Sequence, residues 1–222
     1  MDVPVILLLA LAGCGGPGPG MAVAPVDAGR TARAVEKSTM PEKPLQIRFG
    51  WRLAETDLRL DGEGVARLAP PYRIRVDLFA PRGETVFQAA LVEGDLRIPF
   101  WAPRELAPPP ALLWAALGVF RPDPDLELLG GRRRDDGGTD LRYGGASGPE
   151  LRFRVLGGKL RRAGLYRNGH LEEEVELSYQ GSSGELSETV YRNRAEFREL
   201  RFEIETVENV DAFPLDIWYP GN

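Results

Sequence analysis

Residues 108–120 read PPPALLWAALGVF. After the three prolines, Ala111 to Phe120 contain no charged, hydroxyl or amide side chain. Pro110 suits the first turn of a helix and Gly118 suits its end. A helix that is apolar on every side must be buried on every side. Ten residues are too few for the roughly 20 that cross a bilayer as a helix. The rest of the chain must therefore supply an apolar surface large enough to enclose this segment.

That surface is written in alternation on both sides of it. Leu45, Ile47, Phe49, Trp51 and Leu53 alternate with Gln46, Arg48, Gly50 and Arg52. Strict alternation marks a strand with one buried face and one wet face. Leu58, Leu60, Gly62, Gly64, Ala66 and Leu68 share the next face, and Tyr72, Ile74, Val76 and Leu78 share the one after. The two glycines are expected to mark a bend. Val86–Val92 and Leu96–Phe100 read as two more strands. Beyond the insertion come Leu141–Tyr143, Leu151–Val155, Leu160–Arg167, Leu171–Tyr179, Glu188–Asn193 and Leu200–Thr206. Asn168-Gly169 between two of them is a tight-turn signal. The fold class expected is mainly β (α+β). It is a single curved antiparallel sheet, an incomplete half-barrel of about 10–11 strands, with the apolar helix covering its concave face. Asp27–Thr39 is expected to form a first helix capped by Asp27, and Asp211–Pro220 an apolar tail docked on the sheet.

The amino end carries a different message. Val3 to Ala12 is apolar, the length of the h-region of a secretory signal. It closes on Leu11-Ala12-Gly13-Cys14, which resembles the lipobox of bacterial lipoproteins. Cys14 is the one cysteine of the 222 residues. The resemblance implies a signal peptide over 1–13, diacylglycerol on Cys14 and a flexible Gly/Pro-rich tether over 14–26. A single domain over 27–222 follows. Asp2 stands where a signal normally has Lys or Arg, which a start upstream of Met1 would explain. The alternative is translation from Met21, with Cys14 a chance residue. Gly15, not Asp, after the cysteine points to the outer membrane, with the protein lipid-anchored and facing the periplasm.

Composition excludes more than it assigns. The net charge is −5 and no basic tail is present, so nucleic acid is not an expected partner. Lys37, Lys43 and Lys159 are the lysines and the other cations are arginines. One cysteine allows no internal disulfide, and one histidine, His170, with one cysteine builds no zinc-type cluster. Gly145-Ala146-Ser147-Gly148-Pro149 has Pro where a nucleophile elbow needs Gly. Asp123 and Asp125 fall short of the oxygen ligands that calcium requires. Arg132-Arg133-Arg134 and Glu172-Glu173-Glu174 read as solvated hairpin charge or a docking surface. No catalytic residue, metal or cofactor is expected, and the chain reads as a non-enzyme and a monomer.

Three stretches together resemble the LolA/LolB-like superfamily of envelope proteins, closer to LolB or an uncharacterised relative. They are Arg73–Gly83, a strand ending in a Pro-x-Gly turn; the apolar helix with Leu117-Gly118 followed by Leu126–Gly131; and Leu200–Phe213. The resemblance implies a cavity for a hydrophobic ligand, either lipid or the acyl chains of a lipoprotein, and a role in lipoprotein localisation to the outer membrane. Phe49, Trp51, Leu60, Ile74, Val76, Trp114, Leu117 and Phe120 are the expected lining. A periplasmic carrier or envelope protein is an implied partner. Phe79, Pro81, Arg82 and Gly83 are the expected membrane-proximal turn, where Arg82 replaces the family's inserting leucine and would meet headgroups instead of hydrocarbon. The alternative is a structural or assembly lipoprotein that scaffolds an envelope complex and has a filled core.

Overall fold

The computed structural model describes residues 22–145, 148–181 and 184–221. Among them are thirteen strands. In chain order these are β1 (Ala22–Pro25), β2 (Leu45–Ala54), β3 (Arg59–Ala69), β4 (Arg73–Phe79), β5 (Thr85–Val92) and β6 (Asp95–Arg97), then β7 (Glu127–Arg134), β8 (Thr139–Gly144), β9 (Glu150–Leu156), β10 (Lys159–Arg167), β11 (His170–Tyr179), β12 (Leu186–Asn193) and β13 (Arg198–Asn209). Two α-helices join them, α1 (Ala28–Thr39) and α2 (Pro110–Ala116).

All strands belong to one open sheet ordered β1-β7-β8-β9-β10-β11-β12-β13-β2-β3-β4-β5-β6. Every pairing is antiparallel, and most are hairpin neighbours. β1 pairs with β7 at one edge, and the long-range closure within the sheet is β13 on β2. It places the carboxyl-terminal strand beside the first long one and makes a continuous sheet of two consecutive meanders.

Register turns the alternation into one apolar face. Ile47, Phe49 and Trp51 pair across with Ala66, Gly64 and Gly62, and Phe49 and Trp51 pair on the other side with Ile204 and Phe202. The two glycines do not simply bend the sheet. A Cβ on Gly64 would come within 2.2 Å of the Phe49 ring, and one on Gly62 within 1.9 Å of the Phe79 carbonyl oxygen. Their bare backbone is the space these groups occupy. The Trp51 indole N–H is satisfied by the carbonyls of Glu63 and Phe79, both at 3.0 Å.

α1 is capped as its sequence suggests, with the Asp27 carboxylate accepting from the Arg30 N–H at 2.9 Å. Only Ala32 and Val35 of α1 are buried, and the helix rests on β7 and β10. α2 starts at Pro110 and stops before Gly118, whose φ of +79° is open to glycine. It packs against β10, β11 and β12. Six of its seven residues are buried, and they belong to the same core as the apolar face of the sheet.

The tail forms a 3-10 turn, Leu215–Trp218, against β4 and β5. It lies on the side away from the main core, where Arg67, Arg75, Ala90 and Arg97 form one cross-strand row. Asp77, 2% exposed, accepts from Arg67 at 2.5 Å and from Arg75 at 2.8–2.9 Å. Arg75 also donates to the Ile217 carbonyl at 2.6 Å, and Arg97 to that of Trp218 at 3.2 Å. Trp218 is thereby buried outside the main core.

Three expectations are corrected. The stretch expected to be tether through residue 26 contains β1, because Ala22–Pro25 pairs with Arg132–Arg134. Glu127–Arg134 is a strand instead of a charged hairpin tip, which with β1 raises the count to thirteen. The strand expected over Leu96–Phe100 ends at Arg97, since Pro99 brings no N–H to a ladder.

Candidate functional site

The interior between sheet and α2 is built from side chains that only pack. Apart from the Trp114 indole N–H, no α2 side chain has a hydrogen-bonding group. Seven residues are also too few for a helix to persist alone in water, so α2 exists because its surroundings are apolar. Beyond it, Phe120 meets Phe153 edge-on at 4.8 Å and Tyr143 at 6.1 Å. The Phe120 N–H donates to the Thr39 hydroxyl at 3.0 Å, tying the exit of α2 to the end of α1. Near the other side, the Tyr179 hydroxyl donates to the Leu160 carbonyl at 2.7 Å.

Of the eight residues expected to line a cavity, seven lie in this packed core: Phe49, Trp51, Ile74, Val76, Trp114, Leu117 and Phe120 are each 5% exposed or less. Leu60, at the outer end of β3, is 38% exposed. In this form the space beneath α2 is occupied by the side chains themselves.

Polar groups intrude at few points. Tyr191, on β12, is fully buried and donates to the Glu173 carboxylate at 2.6 Å. Burial pushes the Tyr191 phenol up, with the Glu173 bond adding to it. Burial likewise pushes Tyr143 and Tyr179 up to about 12. The Glu173 carboxyl is itself raised, chiefly by burial. The Thr189 hydroxyl is buried with no hydrogen-bond partner in this apolar surround.

Phe79 is half-buried, while Pro81, Arg82 and Gly83 are exposed at a tight turn closed by the Gly83 N–H on the Ala80 carbonyl at 2.8 Å. The alternation of apolar and polar residues gave no notice of the exposed aromatics after β6. Phe100 is fully exposed and Trp101 is 43% exposed; Pro99, which ends the strand, was the available signal. His170 is exposed at the start of β11. Asp123 accepts from the Asp125 N–H at 3.0 Å as a local turn. Among the described residues no group of three or more His, Cys, Asp or Glu could hold a metal. Nor is any helix among them long and apolar enough to cross a membrane. Cys14 and Ala146-Ser147 lie outside the described residues.

No family model matches the chain, and no curated protein does. Solved structures do resemble it. A LolA superfamily protein from Nitrosomonas europaea superposes with a TM-score of 0.56 at 14% identity, over 87% of this chain and 97% of that one. A DUF1329 family protein from Desulfovibrio piger does so with a TM-score of 0.50 at 10% identity, over 89% and 98%. The likeness runs nearly end to end, and it is a likeness of fold.

Proposed function

We propose that this chain, which has the fold of LolA superfamily proteins, is a lipid-anchored envelope lipoprotein. It holds a hydrophobic ligand, a lipid or the acyl chains of another lipoprotein, against the apolar face of its sheet. Cys14 carries the anchor, and α2 covers the concave side of the sheet as a displaceable plug. The role is passage of lipidated cargo at the outer membrane. The supporting observation is α2 itself: a seven-residue, all-apolar helix that fills an apolar face and is bounded by Pro108–Pro110 and Gly118. A contact made of dispersion and water exclusion alone can be exchanged for an acyl chain, because neither partner strands a hydrogen bond. An acyl chain of about 15 methylenes gains on the order of 10 kcal/mol from leaving water, which makes a shielded path worthwhile.

Native mass spectrometry of the protein released from membranes in mild detergent tests this. Bound lipid or acylated cargo is expected, with slower amide exchange at the sheet and faster exchange over residues 110–120 than in the stripped protein. A protein that is always empty, with exchange unaltered by added lipid, rejects it.

The filled interior also favours a second reading, a scaffold for an envelope protein with no ligand cavity. That reading expects a reproducible crosslinked partner and no lipid-dependent change over 110–120.

A further inference from the structure

The face of the sheet opposite the core holds a cavity of about 660 Å³ over β7 to β10. Arg132, Arg134, Arg142, Arg152, Arg154 and Arg162 line it. These are outward positions, alternating with the core residues Leu141, Leu151, Phe153 and Leu165. Gly130 and Gly164 stand on the same face opposite Arg142 and Arg152; the space over Gly130 is open, whereas the Tyr166 and Leu171 side chains lean over Gly164.

Among the described residues, four carboxylates form ion pairs with five of these six guanidiniums. Glu150 is shared by Arg142 and Arg152, both at 2.6 Å. Asp140 lies 3.3 Å from Arg134. Asp136 pairs with Arg154, and Glu174 pairs with Arg162. The register sets Arg142 directly opposite Arg152 and Arg154 directly opposite Arg162. Like charges so opposed weaken a sheet. The Arg162 Nε is buried without a hydrogen-bond acceptor, and the Arg134 Nε has only the Asp140 carboxylate, at 3.3 Å and outside hydrogen-bond geometry. On a chain of net charge −5, this is a local excess of cation with unspent donors. It suits an anion with several oxygens, and guanidinium forks fit phosphate best.

The chain path indicates where that phosphate sits. β1 begins at Ala22 and pairs with β7 through Ala22 to Arg134, Ala24 to Arg133 and Pro25 to Arg132. The eight residues from Cys14 to Ala22 reach at most about 29 Å when extended. A lipid on Cys14 therefore holds Ala22, at this edge of the sheet, within about 29 Å of the bilayer surface, and the arginines of β7–β10 lie one to four strand spacings, about 5–19 Å, further across. We propose that the arginine-lined cavity over β7–β10 docks the phosphate headgroups of anionic lipid in the membrane that carries Cys14. This orients the sheet on its own anchor, and it rests on the anchored reading given above.

The test uses the full chain with Cys14→Ser, which cannot be acylated, and vesicles of phosphatidylcholine with or without phosphatidylglycerol. Binding is expected only with phosphatidylglycerol, and raised salt should weaken it. Each arginine neutralised should reduce partition about fivefold. Arg132→Gln with Arg142→Gln should therefore bind roughly 25-fold less, while Arg59→Gln, at an exposed position at the start of β3, binds as the parent. Circular dichroism checks the fold, and Arg132→Gln alone carries the test at about fivefold if the double variant does not fold. Equal partition to both vesicles, or unchanged binding by the variants, overturns the proposal. Displacement by millimolar inorganic phosphate at constant ionic strength also overturns it, in favour of a soluble phosphate ligand. The intact mass of the exported native protein separates the two readings. An unmodified Cys14 sinks the anchor, whereas an acylated Cys14 without anionic-lipid preference sinks only the cavity's role.

Discussion

Trp114→Ala tests the plug most directly. Trp114 is 4% exposed at the centre of α2, which lies against β10–β12. Truncating a buried Trp to Ala typically costs about 3–5 kcal/mol, the lost transfer energy plus the void left behind. In a domain of this size each kcal/mol moves the melting temperature by about 2–4 °C, so a fall of roughly 6–20 °C is expected. Urea unfolding followed by circular dichroism should show a lower midpoint with an unchanged slope. The void should then be refillable. A fatty acid at about 100 times its dissociation constant adds about 2.7 kcal/mol to the folded state, and the variant should recover at least as much as the parent gains. Trp101→Ala, at a 43% exposed position, serves as control and should stay within about 0.5 kcal/mol. A loss under about 1 kcal/mol at Trp114 would refute the packing argument. A full loss with no stabilisation of either protein by fatty acid would refute exchange of α2 for a ligand.

Gly64→Ala places a methyl 2.2 Å from the Phe49 ring. It should cost about 1–3 kcal/mol in chemical denaturation, much of which Phe49→Leu in the same chain should restore; an additive double variant contradicts the contact. Asp77→Ala strands Arg67 and Arg75 and should cost about 3–5 kcal/mol. It should also speed proteolysis within residues 211–221, since Arg75 no longer has a fixed position from which to hold the Ile217 carbonyl; an unchanged cleavage rate argues against that clasp. Glu173 has its folded pKa raised above 4.5, chiefly by burial. The folded state thus binds the proton more tightly than the unfolded chain, and stability falls as pH rises from 4.5 through the folded value. Glu173→Gln should stabilise the protein near pH 7 and lose that advantage below about pH 4.5; an advantage independent of pH in urea titrations refutes the assignment. Glu150 is the opposite case, held down to about 2 first by the Arg142 hydrogen bond. Its contribution should be complete above about pH 4.5 and be lost as pH falls to about 2, and Glu150→Gln should flatten acid unfolding over that window.

Where the sequence alternates, the fold was legible. Leu45–Leu53 and Tyr72–Leu78 alternate because one face of each strand meets the core and the other meets water, and register then follows from face. β7 escaped notice because Glu127–Arg134 sets Leu128 and Leu129 side by side and follows them with two glycines, one facing Leu141, and three arginines, so no apolar period is present to read. β1 escaped because Ala22–Pro25 reads like the tether before it, and only its pairing with β7 defines it. The candidate interior was legible as apolar, whereas its filling was not: a residue that packs on α2 and one that would touch an acyl chain require the same side chain. The arginine-lined cavity was hidden for a related reason. Arg142, Arg152, Arg154 and Arg162 each look like an ordinary outward residue of its own strand, and only the register sets them opposite one another.

The two faces of the sheet then explain each other energetically. Leu112, Leu113, Trp114 and Leu117 account for most of the apolar area that α2 and its cap bury, each 5% exposed or less. At about 1.5–3 kcal/mol per side chain this amounts to roughly 6–12 kcal/mol. An acyl chain of about 15 methylenes gains on the order of 10 kcal/mol from the same burial. Plug and ligand are thus nearly matched, and replacing one by the other is close to balanced. Near balance is what a protein that must both take up and release a lipid requires, because a much stronger plug would never open and a much weaker one would never let go of its cargo. Such an exchange has to occur beside a bilayer, where neither α2 nor an acyl chain need cross open water. A phosphate-binding outer face close to the anchored edge would hold the sheet there. On the proposed function the apolar interior and the arginine-lined exterior serve a single requirement, and weakening the outer face should slow loading of the inner one without changing its affinity.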